Sequence, residues 1–144
     1  MSIKQISIFA ENKPGTMKTM TDVLAENNID MRALCLAETK DFGIVRIIVD
    51  NVYDAATALK DAGFIHKITP VLCAAIPDVP GGLAKVLNVL YSADVNVEYT
   101  YAFLGGKTAN SAYMILRVQD EAAAAAALKA DGIRLVDQEE ISQM

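Results

Sequence analysis

Glu11-Asn12-Lys13-Pro14-Gly15-Thr16-Met17 leads into a short amphipathic run that ends at Asn28-Ile29-Asp30-Met31. Pro77-Asp78-Val79-Pro80-Gly81-Gly82-Leu83 leads into a matching run that ends at Asp94-Val95-Asn96-Val97. Pro14-Gly15 aligns with Pro80-Gly81, Leu24 with Leu90 and Ile29 with Val95. An internal repeat decides architecture before any single element does. It also points to chemistry. A strand that stops at Pro-Gly and restarts as a helix leaves backbone N–H groups bare at the helix start, a receptor for a carboxylate or phosphate.

The repeat divides the 144 residues into halves of roughly 70, meeting near Thr69-Pro70, with units 1–69 and 70–144. Units that small bury a limited share of their surface, so each is expected to pack on the other or on a second chain. A net charge of −5, with no run among the 13 Lys and Arg, argues against nucleic acid and against an anionic membrane surface. No apolar run approaches the ~20 residues of a membrane span, and Met1-Ser2-Ile3-Lys4-Gln5 does not read as a signal peptide. Cys35 and Cys73 lie far apart in apolar runs, and His66 is the only histidine. That pattern predicts reduced core thiols in a cytoplasmic protein, with no metal site and no cofactor.

Periodicity gives each half the same order of elements. Strands are expected over Ile3 to Ala10, Ile29 to Glu38, Phe42 to Asp50 and Ile65 to Thr69, with helices over Thr16 to Asn27 and Val52 to Ala62. Met17, Met20, Val23 and Leu24 make one stripe of the first helix; Asn51 caps the second and Gly63 ends it. The other half gives strands over Val71 to Ile76, Val95 to Leu104, Ser111 to Gln119 and Ile133 to Gln138. Its helices run Gly82 to Ala93, with Leu83, Val86, Leu87 and Leu90 inward, and from the Asp120 cap to Ala130. The turn falls at Gly105-Gly106-Lys107-Thr108, and the second hairpin carries three extra residues, because the repeat offset changes from 66 to 69 across it. Each half is therefore β-α-β-β-α-β. Right-handed crossovers put both helices on one face of a four-stranded antiparallel sheet: an α+β, ferredoxin-like arrangement, made twice.

This order, with Pro-Gly between first strand and first helix, resembles the ACT domain. Ile76 through Ala84, Val86-Leu87, Leu90 and Asp94 through Val97 carry the match in the second copy. The first copy departs, with Thr16-Met17 for the usual Gly/Arg-Leu and Asp30-Met31 for Asn-Ile. The chain as a whole is similar to stand-alone bacterial proteins of two ACT domains, notably over Arg32-Ala33-Leu34, Leu36 to Thr39 and Asp41 to Ile44. That resemblance implies a non-catalytic regulatory protein that binds an amino acid or related metabolite. It further implies a homodimer.

The resemblance places the ligand between the loop after a first strand and the second strand of a neighbouring ACT domain. Gly15, or Gly81 with Gly82, then lets the ligand approach bare backbone. The N–H groups of Gly15, Thr16 and Met17, or of Gly81, Gly82 and Leu83, would hold a carboxylate at the positive end of the helix. Asn12, Asp78 or carbonyls near Asn96 would accept from an ammonium group, and Asp30, Arg32 and Val97 complete the strand side. Fold alone names no ligand.

Arg46 shares a face with Ile44 and Ile48. It calls for an ion pair with Asp30 or Glu38, or else, with Arg32, clamps a ligand carboxylate. Tyr99, Tyr101 and Phe103 form a period-two row suited to packing under helices or at a domain interface rather than to RNA stacking. His66 is expected to start a solvent-facing edge strand. No nucleophile is paired with a base. An alternative to metabolite binding is a subunit acting by contact alone on an amino-acid biosynthetic enzyme, such as one like acetolactate synthase.

Overall fold

The computed structural model describes residues 2–104 and 110–144, so the expected turn at 105–108 lies outside the described residues. In β1 (Ile3–Glu11) the period of two puts Ile6 and Ile8 on one face, fully buried, and Gln5 and Ser7 on the other. Helix α1 (Thr16–Glu26) lays Met20 and Leu24 on that first face. The chain returns through β2 (Met31–Glu38) and β3 (Phe42–Val49) to α2 (Val52–Asp61). Asn51 caps α2 by accepting from the Asp54 N–H at 3.0 Å. The second half follows with β4 (Ile65–Pro77), α3 (Gly82–Ser92), β5 (Val97–Ala102), β6 (Ser111–Val118), α4 (Glu121–Ala130), β7 (Arg134–Leu135) and α5 (Gln138–Gln143). Asp120 caps α4 as Asn51 caps α2, accepting from the Ala123 N–H at 3.0 Å.

The repeat is written into the backbone bond by bond. Gly15 and Gly81 open α1 and α3 at φ +89° and +86°. Asn28 and Asp94 follow those helices at φ +56° and +57°. The Asn12 N–H donates to the Asp41 carbonyl (3.0 Å) and the Asp78 N–H to the Asn110 carbonyl (2.9 Å), tying each Pro-Gly loop to its own hairpin.

The strands make a seven-stranded sheet in the order β2-β3-β1-β4-β6-β5, with β7 on β4. Each half has its own four-stranded antiparallel pattern, and the halves share β4. Two separate strands were expected around Thr69-Pro70; a single one runs through. Pro70 stands where β4 changes partner, since pairing with β1 ends at Val71 and pairing with β6 starts at Leu72. A residue without an N–H fits such a changeover. The sheet ends then meet: Ala33 and Phe103 form an antiparallel bridge, and the Leu104 N–H donates to the Arg32 carbonyl at 2.9 Å.

Three apolar cores result. One lies under α1 and α2 and includes Ile6, Leu24, Ile47 and Leu59. A second lies under α3 and α4 and includes Leu72, Leu90, Leu116 and Leu128. The third lies on the faces that α1 to α4 leave uncovered, with Ile3, Ala33, Ile48, Cys73, Tyr101 and Ile115, and takes in Ile141 of α5. Of the two placements open to the aromatic row Tyr99, Tyr101, Phe103, it takes the interface between the halves. Val71 to Ala74 and Ile76 are buried, because this stretch has a core on each side.

Three expectations need correction. Leu87 is 36 % exposed, and Val89 packs on the α3 core instead. The last strand is only Arg134–Leu135, after which α5 starts from an Asp137 cap on the Glu140 N–H, 2.8 Å. Arg46 makes no ion pair among the described residues. It faces Cys35 across β2, whereas Asp30 and Glu38 lie toward the two ends of that strand, roughly 10 Å or more away at 3.3 Å per residue. Its guanidinium lies 3.8 Å above the Tyr99 ring instead. Among the described residues no helix is long and apolar enough to cross a membrane.

Candidate ligand-binding site

The first Pro-Gly loop is held from several sides. The Asn12 side-chain amide donates to the Thr39 carbonyl at 3.0 Å, so Asn12 pins the loop to the β2–β3 hairpin. Lys13 folds back on Glu11, Nζ to Oε2 at 3.1 Å. Gly15 takes a left-handed conformation that most side chains resist, and a Cβ there would meet nothing within 4 Å. The Thr16 N–H turns back to the Lys13 carbonyl at 3.4 Å, and the Thr19 N–H reaches the Gly15 carbonyl at 2.9 Å. Between them the N–H groups of Met17 and Lys18 find no acceptor among the described residues. The Thr16 hydroxyl oxygen is out of solvent and also unpartnered.

Two hollows flank Thr16. A narrow one of about 50 Å³ lies between α1 and the β2–β3 hairpin, against Met17, Leu36, Glu38 and Gly43. A larger one of about 320 Å³ lies between the end of β1, the start of β3 and the turn from α2 into β4. Phe9, Phe42, Phe64 and Ile65 make its apolar wall, and Glu11, Lys13 and Thr16 its polar side.

The second loop repeats the backbone with a tighter fit. Gly82 hydrogen-bonds the Val79 carbonyl at 3.0 Å, and a Cβ on it would fall 2.2 Å from the Pro77 carbonyl oxygen. The N–H groups of Leu83 and Ala84 lack acceptors among the described residues, while the Leu83 side chain packs on the α3 core. Asp78 is exposed at the loop.

The strand-side candidates are divided. Asp30 and Arg32 stand at the start of β2, at the far end of the first unit from Gly15. Through the Leu104–Arg32 bond that start abuts the end of β5, the end of the second unit that also carries Asp78. Arg32 is already engaged: it pairs with Asp30 and donates to the Ile141 carbonyl (3.1 Å) and the Ser142 carbonyl (3.3 Å) at the end of α5. Asn96 lines an open polar cavity of about 630 Å³ beside Arg117, Asp120 and Glu121, away from Gly81. Val97 packs on the α3 core. Arg117 there is held by Glu98 at 3.1 Å and Glu121 at 3.3 Å.

Sequence reading missed the aromatic wall. Phe9 carries the detectable signal: it is a large apolar residue on the face of β1 opposite Ile6 and Ile8, just before the loop.

Cys35 and Cys73 are both free, and both touch the core between the sheets. Burial pushes the Cys73 thiol up to about 12, with Glu140 adding to the shift and Arg134 opposing it. Burial likewise raises the Tyr101 hydroxyl. Among the described residues no group of His, Cys, Asp and Glu could hold a metal ion.

Two β-α-β-β-α-β units, each starting its first helix on a left-handed glycine and fused through one strand, define a tandem ferredoxin-like protein. The family model for the ACT domain pair matches residues 1–144, and the chain belongs to that family. Protein BT0572 from Bacteroides thetaiotaomicron is 40% identical, with a TM-score of 0.92, over 100% of this chain and 98% of that one. The regulatory subunit of aspartate kinase from Thermus thermophilus shares the fold at 20% identity and TM-score 0.67, over 90% of each chain. That from Thermus flavus does so at 18% identity and TM-score 0.60, over 89% of this chain and 92% of its own. No curated protein matches the sequence.

Proposed function

We propose that this ACT domain pair binds a free amino acid or closely related metabolite at a Pro-Gly loop and regulates an amino-acid biosynthetic enzyme. The observation that carries the reading is the first loop. Its left-handed Gly15 and the N–H groups of Met17 and Lys18, without acceptors among the described residues, open α1, and Thr16 between them lines two hollows. Bare N–H groups at the positive end of α1 favour a carboxylate. In this reading Asn12, Gly15, Thr16 and Met17 serve one loop, and Asp78, Gly81, Gly82 and Leu83 the other. Asp30 and Arg32 of β2, and Asn96 and Val97 of β5, present backbone from a neighbouring unit. Units 1–69 and 70–144 each supply one loop, and two copies of the chain assemble as a cytoplasmic homodimer. Ligand binding works by shifting the relative population of two arrangements of the units.

A second reading keeps the regulatory role without the ligand. Aspartate kinase regulatory subunits are among the structural neighbours, and Phe42, Tyr53, Ile65 and Tyr91 are exposed apolar groups available for contact. A thermal-shift screen against the twenty amino acids and common pathway end products separates the two. Ligand binding raises the melting temperature with the logarithm of concentration over Kd. A shift abolished by Gly15→Val or Gly81→Val supports the sensor. A flat screen together with stoichiometric co-purification of an enzyme supports the contact subunit.

A further inference from the structure

We propose that the first loop takes an amino acid with an apolar side chain, of the leucine or phenylalanine class; this rests on the ligand-binding reading above. The hollow beside Thr16 is built in two parts. Its wall is apolar: Phe9, Phe42, Phe64 and Ile65 line it without contributing a polar side-chain atom. Its rim carries one charge of each sign, Lys13 and Glu11, which neutralise each other at 3.1 Å. An α-amino acid has the complementary layout, one carboxylate and one ammonium on the same carbon, with a side chain pointing away. Lys13 matches the carboxylate, and Glu11 matches the ammonium. Thr16 lines the same hollow between rim and wall, and its hydroxyl oxygen is buried without a partner.

The apolar groups also have something to gain. Phe9, Phe42 and Ile65 are 44 %, 62 % and 73 % exposed. Large apolar groups left in water beside a cavity are characteristic of a site whose occupant covers them. A volume of about 320 Å³ lies at the small end of the ~300–1,000 Å³ range of ligand pockets, the scale of a single amino acid. An aspartate side chain would set its carboxylate against three phenylalanine rings with no partner on the wall, which is unfavourable.

The test is isothermal titration of the full chain with L-leucine, L-phenylalanine, L-serine, L-aspartate and L-lysine, repeated on Phe42→Ser and Ile65→Ser. Both positions are exposed, so both variants should fold, which circular dichroism checks. The expected result is binding of leucine or phenylalanine at least tenfold tighter than of the polar three, weakened at least tenfold in both variants. Binding of serine, aspartate or lysine in preference overturns the apolar class and leaves amino-acid binding standing. Apolar binding unchanged in both variants overturns the placement in this hollow. Absence of heat with all five, confirmed by a flat thermal-shift screen, removes the ligand-binding reading itself and this inference with it.

Discussion

Gly81 and Gly82 are adjacent, but they are glycine for different reasons. Gly81 has open space where a Cβ would go and a left-handed φ of +86°. Gly82 has no such φ and a backbone oxygen 2.2 Å from the Cβ position. Gly81→Ala should therefore cost about 1–2 kcal/mol, the ordinary left-handed penalty. Gly82→Ala should cost clearly more, because a carbonyl cannot step aside as a side chain can. Urea denaturation of the two variants measures this, and equal losses would contradict the steric account. The repeat made the first glycine legible in sequence. The second was not, since close approach to Pro77 depends on how the loop closes in space. Arg46 was similarly opaque: its shared face with Ile48 was visible, but its stacking on Tyr99 depends on a strand more than fifty residues away.

Cys73 makes a prediction at the same scale. Its thiol has an ordinary value of 9.0 and is held at about 12 in the fold. Above pH 9 the unfolded chain gives up that proton while the native chain keeps it. The unfolded state then binds fewer protons, so stability falls as pH rises from 9 toward 12, and is unaffected by this group below 9. Tyr101, also raised by burial, adds to the decline above its ordinary 10.0. Unfolding free energy followed from pH 8 to 11 should fall in the native sequence and fall less steeply in Cys73→Ala. Parallel slopes would show that the thiol titrates normally.

Among the elements, the helices and their caps were the most readable. Asn51 and Asp120 each precede a helix and accept the bond their positions predict. The last helix was missed although it carries a similar cap. Asp137 and Glu140 have the spacing of a capping box, but the repeated element order calls for a fourth strand over Ile133 to Gln138. Its anchor is Ile141, fully buried against the core between the sheets. Ile141→Ala should cost about 2–5 kcal/mol if the cavity does not collapse. Arg32→Ala should loosen the helix differently, by freeing the Ile141 and Ser142 carbonyls. Amide exchange should then accelerate in 138–143 with α1 and α2 unchanged. Faster exchange throughout the first unit would place Arg32 in its folding instead.

At the scale of the molecule, the two units are joined by more than a shared strand. Between the faces that α1 to α4 leave uncovered lies a polar cluster that no pattern in the sequence announces, because its members come from β1, β4 and β5. Gln5 is fully buried there. Its amide donates to the Tyr99 hydroxyl (2.8 Å) and to the Ser7 hydroxyl (3.0 Å), and its carbonyl accepts from the Tyr101 hydroxyl at 2.7 Å. Ser7 continues the network to Thr69 at 3.3 Å. An apolar seam would let one sheet slide over the other at little cost, since dispersion and burial are non-directional. Hydrogen bonds are directional, so the network adds to the register that the shared β4 and the Ala33–Phe103 bridge already impose. A buried network partly satisfied is worse than none. Gln5→Leu should therefore cost about 1–3 kcal/mol by orphaning the tyrosine hydroxyls. Tyr101→Phe should cost a similar amount by orphaning the Gln5 carbonyl. The double variant removes both partners of that bond, so it should be less destabilised than the sum of the two, by at least 0.5 kcal/mol on the scale of directly coupled pairs. Strict additivity would show that Gln5 and Tyr101 act separately and that the shared strand and the apolar core hold the register without them. If the network does hold it, any ligand that moves β1 or β5 at either loop must also stretch the Gln5 bonds, and the two units cannot respond independently.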